Sequence, residues 1–276
     1  ERTHTTPLNL GLRNHQSTPG LWVMLVERGL ARSGSPLPVL FHLAMDLLEK
    51  DRYLSRGLDE RALAKLSLLG DRLLGAGFNV TALKDGPQIE KMHFLDSLSL
   101  LDVAAVRGAA SIVDIGSGGG FPALVLALAL PARIIAVESQ EKKCRFIADC
   151  AKALDLVNVD VVCIRAEDYG GGQGREIHDV AVSRALSTLA TVAEYSLPLV
   201  RLGGHMVAMM GAISDQERMR AQGAVGILGG GPLEVLRLHP FPGAENRWAY
   251  VAPKADVTPP AYPRRVGVPA KRPLGS

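Results

Sequence analysis

From Ser111 onward, short β-branched runs alternate with stretches of helical period. Strand candidates are Ser111–Ile115, Arg133–Val137, Val159–Ile164, Asp179–Val182 and His205–Met209. Helix candidates between and after them are Pro122–Leu130, Gln140–Leu154, Leu186–Arg201 and Ser214–Gln222. This alternation predicts an α/β fold, a parallel sheet covered by helices on both faces. Two more strand candidates, Leu233–Leu238 and Arg247–Ala252, leave no room for a helix between them and read as an antiparallel hairpin. Upstream, Pro38–Leu54 and Leu58–Leu74 read as helices. In the second, Leu63, Leu66, Leu69, Leu73 and Leu74 recur at three- and four-residue steps, the spacing of one buried helix face. Residues 1–36 mix Pro, Ser, Thr, Gly and Arg without a period, which predicts a poorly ordered arm. The pattern therefore divides the chain into an arm (1–36), a helical cap (37–110), an α/β core (111–258) and a tail (259–276). The tail is rich in proline, and its charges are Arg264, Arg265, Lys271 and Arg272; it is expected to be an extended arm. Gly171–Gly174 is expected to be a flexible loop.

Composition changes this picture little. Of 276 residues, 47% are hydrophobic and 21% charged, which suits a globular chain with a sizeable core. The formal charge of +3, from 31 basic and 28 acidic side chains, permits a nucleic-acid partner without demanding one. Cys144, Cys150 and Cys163 contain no C-x-x-C pair, so free thiols in a reducing cytoplasm are expected, with no metal. The apolar runs Leu21–Val26 and Leu124–Pro131 are far below spanning length, so no membrane association is expected. The chain opens on Glu1 instead of methionine, the mark expected of a processed or fragmentary end. A monomer is the default expectation.

The strongest local signal is Val113-Asp114-Ile115-Gly116-Ser117-Gly118-Gly119-Gly120-Phe121-Pro122. A strand runs into a glycine-rich turn, and a helix can start at Pro122. Such a turn lies at the carboxyl end of a strand, where open α/β sheets bind ligands. Glycines let a ligand approach the main chain with no Cβ in the way. The second strand ends at Glu138, about 20 residues further on, where a carboxylate can accept both ribose hydroxyls of an adenosine group. A dinucleotide fingerprint would place its last glycine at 121, where this chain has Phe. The observed D-x-G-x-G-x-G resembles the first motif of class I S-adenosylmethionine-dependent methyltransferases. That resemblance implies a Rossmann-like, mainly parallel seven-stranded sheet with a C-terminal antiparallel hairpin, and S-adenosyl-L-methionine as cofactor.

Several methyl acceptors are disfavoured by chemistry. Exocyclic-amine enzymes commonly carry an N/D-P-P-Y/F tetrad after the fourth strand, where this chain has Ser183-Arg184-Ala185-Leu186. Making 5-methylcytosine needs a cysteine nucleophile near the end of the fourth or sixth strand, and none of the three cysteines falls there. No acidic cluster marks a metal-assisted O-methyltransferase. Guanine N7 has a free lone pair and no proton to lose, so alignment is its main requirement.

Across Asn79–Leu274 the chain resembles the RsmG (GidB) family. Asn79-Val80-Thr81-Ala82 is similar to N-L-T-a, and His93-Phe94-Leu95-Asp96-Ser97-Leu98 to H-f-l-D-S-L. Asp114–Pro122 resembles D-i-G-S-G-a-G-F-P. Val137-Glu138-Ser139 with Lys142, Lys143 and Phe146 resembles v-E-S-x-x-K-K-x-x-F. Arg165-Ala166-Glu167, Ser183-Arg184-Ala185, and the tail Tyr262-Pro263-Arg264-Arg265 with Gly267, Pro269 and Pro273-Leu274 complete the series. The resemblance implies methylation of guanine N7 at position 527, in the 530 loop of 16S ribosomal RNA, on the 30S subunit or its precursor. It implies that Gly116, Ser117, Gly118, Phe121, Glu138 and Ser139 hold the cofactor and that Ala166 and Glu167 meet its adenine end. Arg184 would lie beside the methionine portion or the substrate as the catalytic side chain. Lys142, Lys143, Arg264, Arg265, Lys271 and Arg272 would touch RNA phosphates. Two departures stand out: Ala123 replaces the glycine of F-P-G, and Met210 replaces the lysine of l-K-G.

Plainer readings compete at several positions. His93 and Asp96 read more readily as a hydrogen-bonded pair holding the cap onto the sheet than as ligand groups. Lys142 and Lys143 read equally well as a solvated helix face, and Trp22 and Trp248 as packing residues. Two other functions fit parts of the pattern: a dinucleotide-dependent oxidoreductase, and a non-catalytic RNA-binding or ribosome-assembly protein keeping the fold.

Overall fold

The computed structural model describes residues 45–78, 80–83 and 85–275; the expected arm and Trp22 lie outside the described residues. Seven strands form one sheet: β1 (Ser111–Ile115), β2 (Arg133–Glu138), β3 (Val159–Cys163), β4 (His178–Arg184), β5 (Val200–Met210), β6 (Glu234–Arg237) and β7 (Trp248–Pro253). Their spatial order is β3-β2-β1-β4-β5-β7-β6. The first five are parallel, and β7 runs antiparallel between β5 and β6. This is the α/β architecture the alternating pattern predicts. The order reverses between β1 and β4, so the crevice of the sheet opens beyond Ile115 and Arg184.

Period-two alternation sorts the strand residues onto two faces. Ile112, Ile134, Ala136, Val180, Val182, Val207 and Val251 join one core. It includes the helix Ala123–Ala129, Ile147, Phe94 and Leu98, and the face Leu63, Leu66, Leu69 and Leu73 of the helix Glu60–Leu74. On the opposite face, Val113, Ile115, Ile135, Val137 and Ala181 pack with Tyr169 and Leu199. There also Met206, Ala208, Tyr250 and Ala252 pack with Leu189, Val192 and Val225. The helix Ala123–Ala129 is apolar throughout because it lies between the sheet and the N-terminal helices; Ala123 to Ala127 are all buried.

Three local expectations need correction. Helix over 38–54 shrinks to Lys50–Leu54 within the described residues. Just before it, side-chain carboxylates capture the main-chain donors that a helix would use. Asp71 Oδ1 accepts from Met45 N–H at 2.8 Å, and Glu90 accepts from Leu48 at 2.8 Å and Glu49 at 3.0 Å. The helix expected over 186–201 covers Leu189–Ser196 with a 3-10 turn through Leu199, after which β5 begins at Val200. Gly171–Gly174 is not a free loop: Ala166–Gly171 is helical, and Gly172 and Gly174 donate to Tyr169 C=O.

The tail also departs from the extended arm. Arg175 donates to the carbonyls of Thr258 and Tyr262. Glu176 Oε1 accepts from Thr258 N–H at 2.6 Å and pairs with buried Lys254 at 3.0 Å. The chain then turns into a short helix, Val268–Lys271. Among the described residues no helix is long and apolar enough to cross a membrane, and no group of His, Cys, Asp and Glu is arranged to hold a metal ion.

Candidate active site

The glycine turn is a crossing of backbone and buried carboxylates. Gly116, Gly118 and Gly120 have φ of +69°, +58° and +91°, the left-handed region that glycine enters without a Cβ clash. Gly116 and Ser117 donate to Val137 C=O at the end of β2, at 2.8 and 3.1 Å. Glu138 is 6% exposed. Its Oε2 accepts from Gly118 N–H at 3.0 Å, and its Oε1 accepts from Ser139 at 2.7 Å and Gln140 at 2.9 Å. One carboxylate thus ties the turn to the start of the helix Glu141–Ala153, and about one of its four acceptor sites is left for a ligand hydroxyl. Asp114, beneath the turn, is fully buried; its Oδ2 accepts from Ala123 N–H at 3.1 Å, and its Oδ1 has no partner among the described residues. Ala123 opens a helix there, a position that needs no glycine freedom, so the departure from F-P-G carries no backbone strain.

Two cavities meet at this turn and share Gly116 and Gly118. One, of about 440 Å³, is lined by Glu138, Ser139, Ala166, Glu167, Tyr195 and Gly267, among others. It brings together the residues expected at the ribose and adenine ends. The other, of about 500 Å³, is lined by Thr81, His93, Asp96, Phe121, Arg184, Met210 and Arg247 among its walls. Between them lies the bare main chain of Gly116 and Gly118.

The second cavity is organised by Arg184, the last residue of β4. Its Nη1 donates to Met92 C=O at 2.7 Å and to Asp96 Oδ2 at 3.2 Å, and its Nη2 to His93 Nδ1 at 3.1 Å. The Met92 carbonyl is available because Glu90–Leu95 forms a wide π turn, in which Asp96 N–H reaches back to Lys91 C=O instead. Since arginine only donates, His93 Nδ1 is the acceptor and its Nε2 carries the hydrogen, which goes to Thr81 Oγ1 at 2.6 Å. Burial and the neighbouring Arg184 push the imidazole pKa down to about 4, so the ring is neutral at pH 7. It stacks on Phe121, centroids 4.6 Å apart and planes 7° apart. Asp96, 4% exposed, receives Arg247 Nε on its other oxygen at 2.8 Å. His93 and Asp96 therefore do not bind one another; both hold the helical segment to the sheet through Arg184 while lining the cavity.

Arg247, Thr81 and Met92 had no assigned role in the sequence reading. Thr81 stood inside a recognised motif, and Arg247 is a lone cation at the start of a strand; Met92 offers its carbonyl, which no side-chain pattern reveals, and its Sδ accepts from Arg247 Nη2 at 3.9 Å. The expected RNA-contact residues divide. Arg265, Lys271 and Arg272 are exposed. Lys142 is exposed with its Nζ 4.2 Å from the Phe78 ring centroid, and Lys143 lines the cavity that holds Glu138 and Glu167. The Arg264 guanidinium instead lies against the fold, paired with fully buried Glu194 at 2.5 Å. The free-thiol expectation is corrected for two of the three cysteines. Cys144 and Cys163 form a disulfide, Cα atoms 5.8 Å apart, between the first turn of the helix Glu141–Ala153 and the end of β3. Cys150 is a free buried thiol with its pKa pushed up to about 12 by desolvation.

The strand order and the glycine turn with its acidic partner define a class I S-adenosylmethionine-dependent methyltransferase. The family model for rRNA small subunit methyltransferase G (GidB) matches residues 64–240. The Moorella thermoacetica ribosomal RNA small subunit methyltransferase G is 43% identical over 198 residues, covering 71% of this chain and 82% of that protein. The Rubrobacter xylanophilus protein of the same name is 40% identical over 219 residues, covering 76% and 84%. Among solved structures, an S-adenosylmethionine-dependent O-methyltransferase from Thermotoga maritima overlaps with a TM-score of 0.48 at 16% identity, covering 69% of this chain and 72% of that one. The chain belongs to the rRNA small subunit methyltransferase G family.

Burial raises the Asp114 pKa to about 7. The folded chain therefore retains a proton that the unfolded chain releases above about pH 4, and this group's contribution to stability falls as pH rises from about 4 to 7. Asp114→Asn keeps an acceptor for Ala123 N–H but does not titrate. In urea unfolding, the variant should gain on the wild type between pH 5 and pH 7.5. An equal difference at both pH values would show Asp114 ionised throughout.

Proposed function

We propose that this chain methylates N7 of a guanine in 16S ribosomal RNA, at position 527 in the 530 loop, on the 30S subunit or its precursor. The observation that carries this reading is the absence of a free base among the described residues of the acceptor-side cavity. Both ring nitrogens of His93 and both oxygens of Asp96 are engaged by Arg184, Thr81 and Arg247. Among those residues an acceptor that must lose a proton has no free base to take it, whereas guanine N7 reacts through a lone pair and needs only alignment. S-adenosylmethionine supplies the electrophilic methyl on its sulfonium.

The residues fit that cofactor. Gly116 and Gly118 admit it against the main chain, and Glu138 takes a ribose hydroxyl. Ser139, Ala166 and Glu167 flank the base, and Phe121 walls the other cavity. Arg184 orders His93, Asp96 and Phe121, and keeps Nε–H and one Nη2 hydrogen without a partner among the described residues. The exposed cations Arg265, Lys271, Arg272 and Lys142 are offered for phosphate contacts. The family membership and this cavity chemistry give no support to a dinucleotide oxidoreductase.

Unmethylated 30S subunits incubated with the protein and labelled S-adenosylmethionine should acquire label at guanine N7. Tight S-adenosylhomocysteine binding with no label there would defeat the proposal. Glu138→Ala should weaken S-adenosylhomocysteine binding by about 1–3 kcal/mol, since it removes a buried charged acceptor; unchanged affinity in calorimetry would remove Glu138 from the ribose.

Met210 puts a thioether on the acceptor-side cavity. Met210→Lys should lower KM for 30S subunits several-fold, an effect that fades with added salt. A KM insensitive to the substitution at low salt would show that this wall does not face RNA.

A further inference from the structure

The tail passes along the nucleoside-side cavity, and Val266, Gly267 and Ala270 form part of its lining. Its seat is specific. Glu194, on the helix Leu189–Ser196, is fully buried; it accepts from Arg264 N–H at 2.9 Å and from Nε at 2.8 Å, besides the pairing with Nη2. The same guanidinium donates to Arg272 C=O at 2.7 Å, which closes the segment between these two residues into a loop. Midway along it, Gly267 has φ +78° and donates its N–H to Glu167 Oε1 at 2.8 Å. Thr191 Oγ1 donates to Pro269 C=O at 3.2 Å.

Lifting this segment would leave Glu194 as a buried, unpaired carboxylate, a severe penalty in a low-dielectric site. A surface arm would not need such an anchor. The contact with Gly267 also fixes Glu167: one oxygen faces the tail, and Oε2 has no partner among the described residues. A donor on a nucleoside base is the chemistry that would complete it.

Resting on the cofactor reading above, we propose that residues 262–272 form the adenine-side wall of the cofactor cavity, with Arg264 as the positioning residue that seats it through Glu194. The tail then sets cofactor affinity, through Gly267 and Glu167, as well as offering its outward cations to RNA.

Calorimetric titration of S-adenosylhomocysteine into the full chain tests this, with kinetics on 30S subunits in parallel. Arg264→Ala should raise Kd and the KM for S-adenosylmethionine about ten-fold. Its kcat at saturating cofactor should hold within about two-fold, and Arg264→Lys should recover part of the loss. Ala270→Trp narrows the cavity from an exposed tail position and leaves the Arg264–Glu194 pair intact; it should also weaken binding about ten-fold, and it decides the matter if Arg264→Ala does not fold. Wild-type affinity in a folded Ala270→Trp and in any folded Arg264→Ala, with Glu138→Ala still weakened, would overturn the tail's role and leave the cofactor reading standing. A wild-type chain that takes up no S-adenosylhomocysteine would overturn both.

Discussion

The carboxylate of Glu138 is the point on which the site depends. It is buried at the end of β2 and accepts three main-chain N–H groups, one from the glycine turn and two from the entry to the next helix. A turn with three left-handed glycines has little reason to hold one shape alone, because glycine loses more conformational freedom on ordering than any other residue. The charge-assisted bond to Gly118 supplies that reason. Gly118 lines both cavities, so the same bond fixes the partition between them.

On the acceptor side the governing fact is charge balance. Asp96 lies between Arg184 and Arg247, and His93 between them and the turn is neutral. A lone buried aspartate or arginine there would be costly. Together they make a wall with donors left over and, among the described residues, no free base. The π turn at Glu90–Leu95 is part of the same device, since it releases the Met92 carbonyl that orients Arg184. Rigid alignment without proton transfer is the requirement of a nucleophile that already carries its lone pair.

Much of this was legible in the chain because it is local. The strands β1, β2 and β3 announce themselves by β-branched runs, and the glycine turn and Glu138 by spacing. Arg184 is readable as the polar residue where β4 reaches the crevice. What could not be read is what long-range partners decide. Over residues 45–49 the expected helix is absent because Asp71 and Glu90, far along the chain, take N–H groups there. Arg247 looks like an ordinary strand start until the fold brings it to Asp96. Cys144 and Cys163 have no telling spacing, and only the packing of the helix Glu141–Ala153 on β3 sets them together.

The tail shows the same limit most sharply. Prolines and arginines without acidic neighbours read locally as a solvated arm, and that reading is sound for a segment whose partners lie within its own few residues. Here the partners are Glu194, Glu167 and Thr191 on helices beneath the cavity, and Arg175 in the segment before β4. Proline then has a different consequence: it lowers the entropy lost when the segment is laid down, so a few specific bonds suffice to hold it. The division of cations follows from the same geometry. Arg264 faces inward because a buried carboxylate requires it, while Arg265, Lys271 and Arg272 remain outside. One short segment thus presents a neutralised inner face to the cofactor cavity and a cationic outer face to whatever approaches the site.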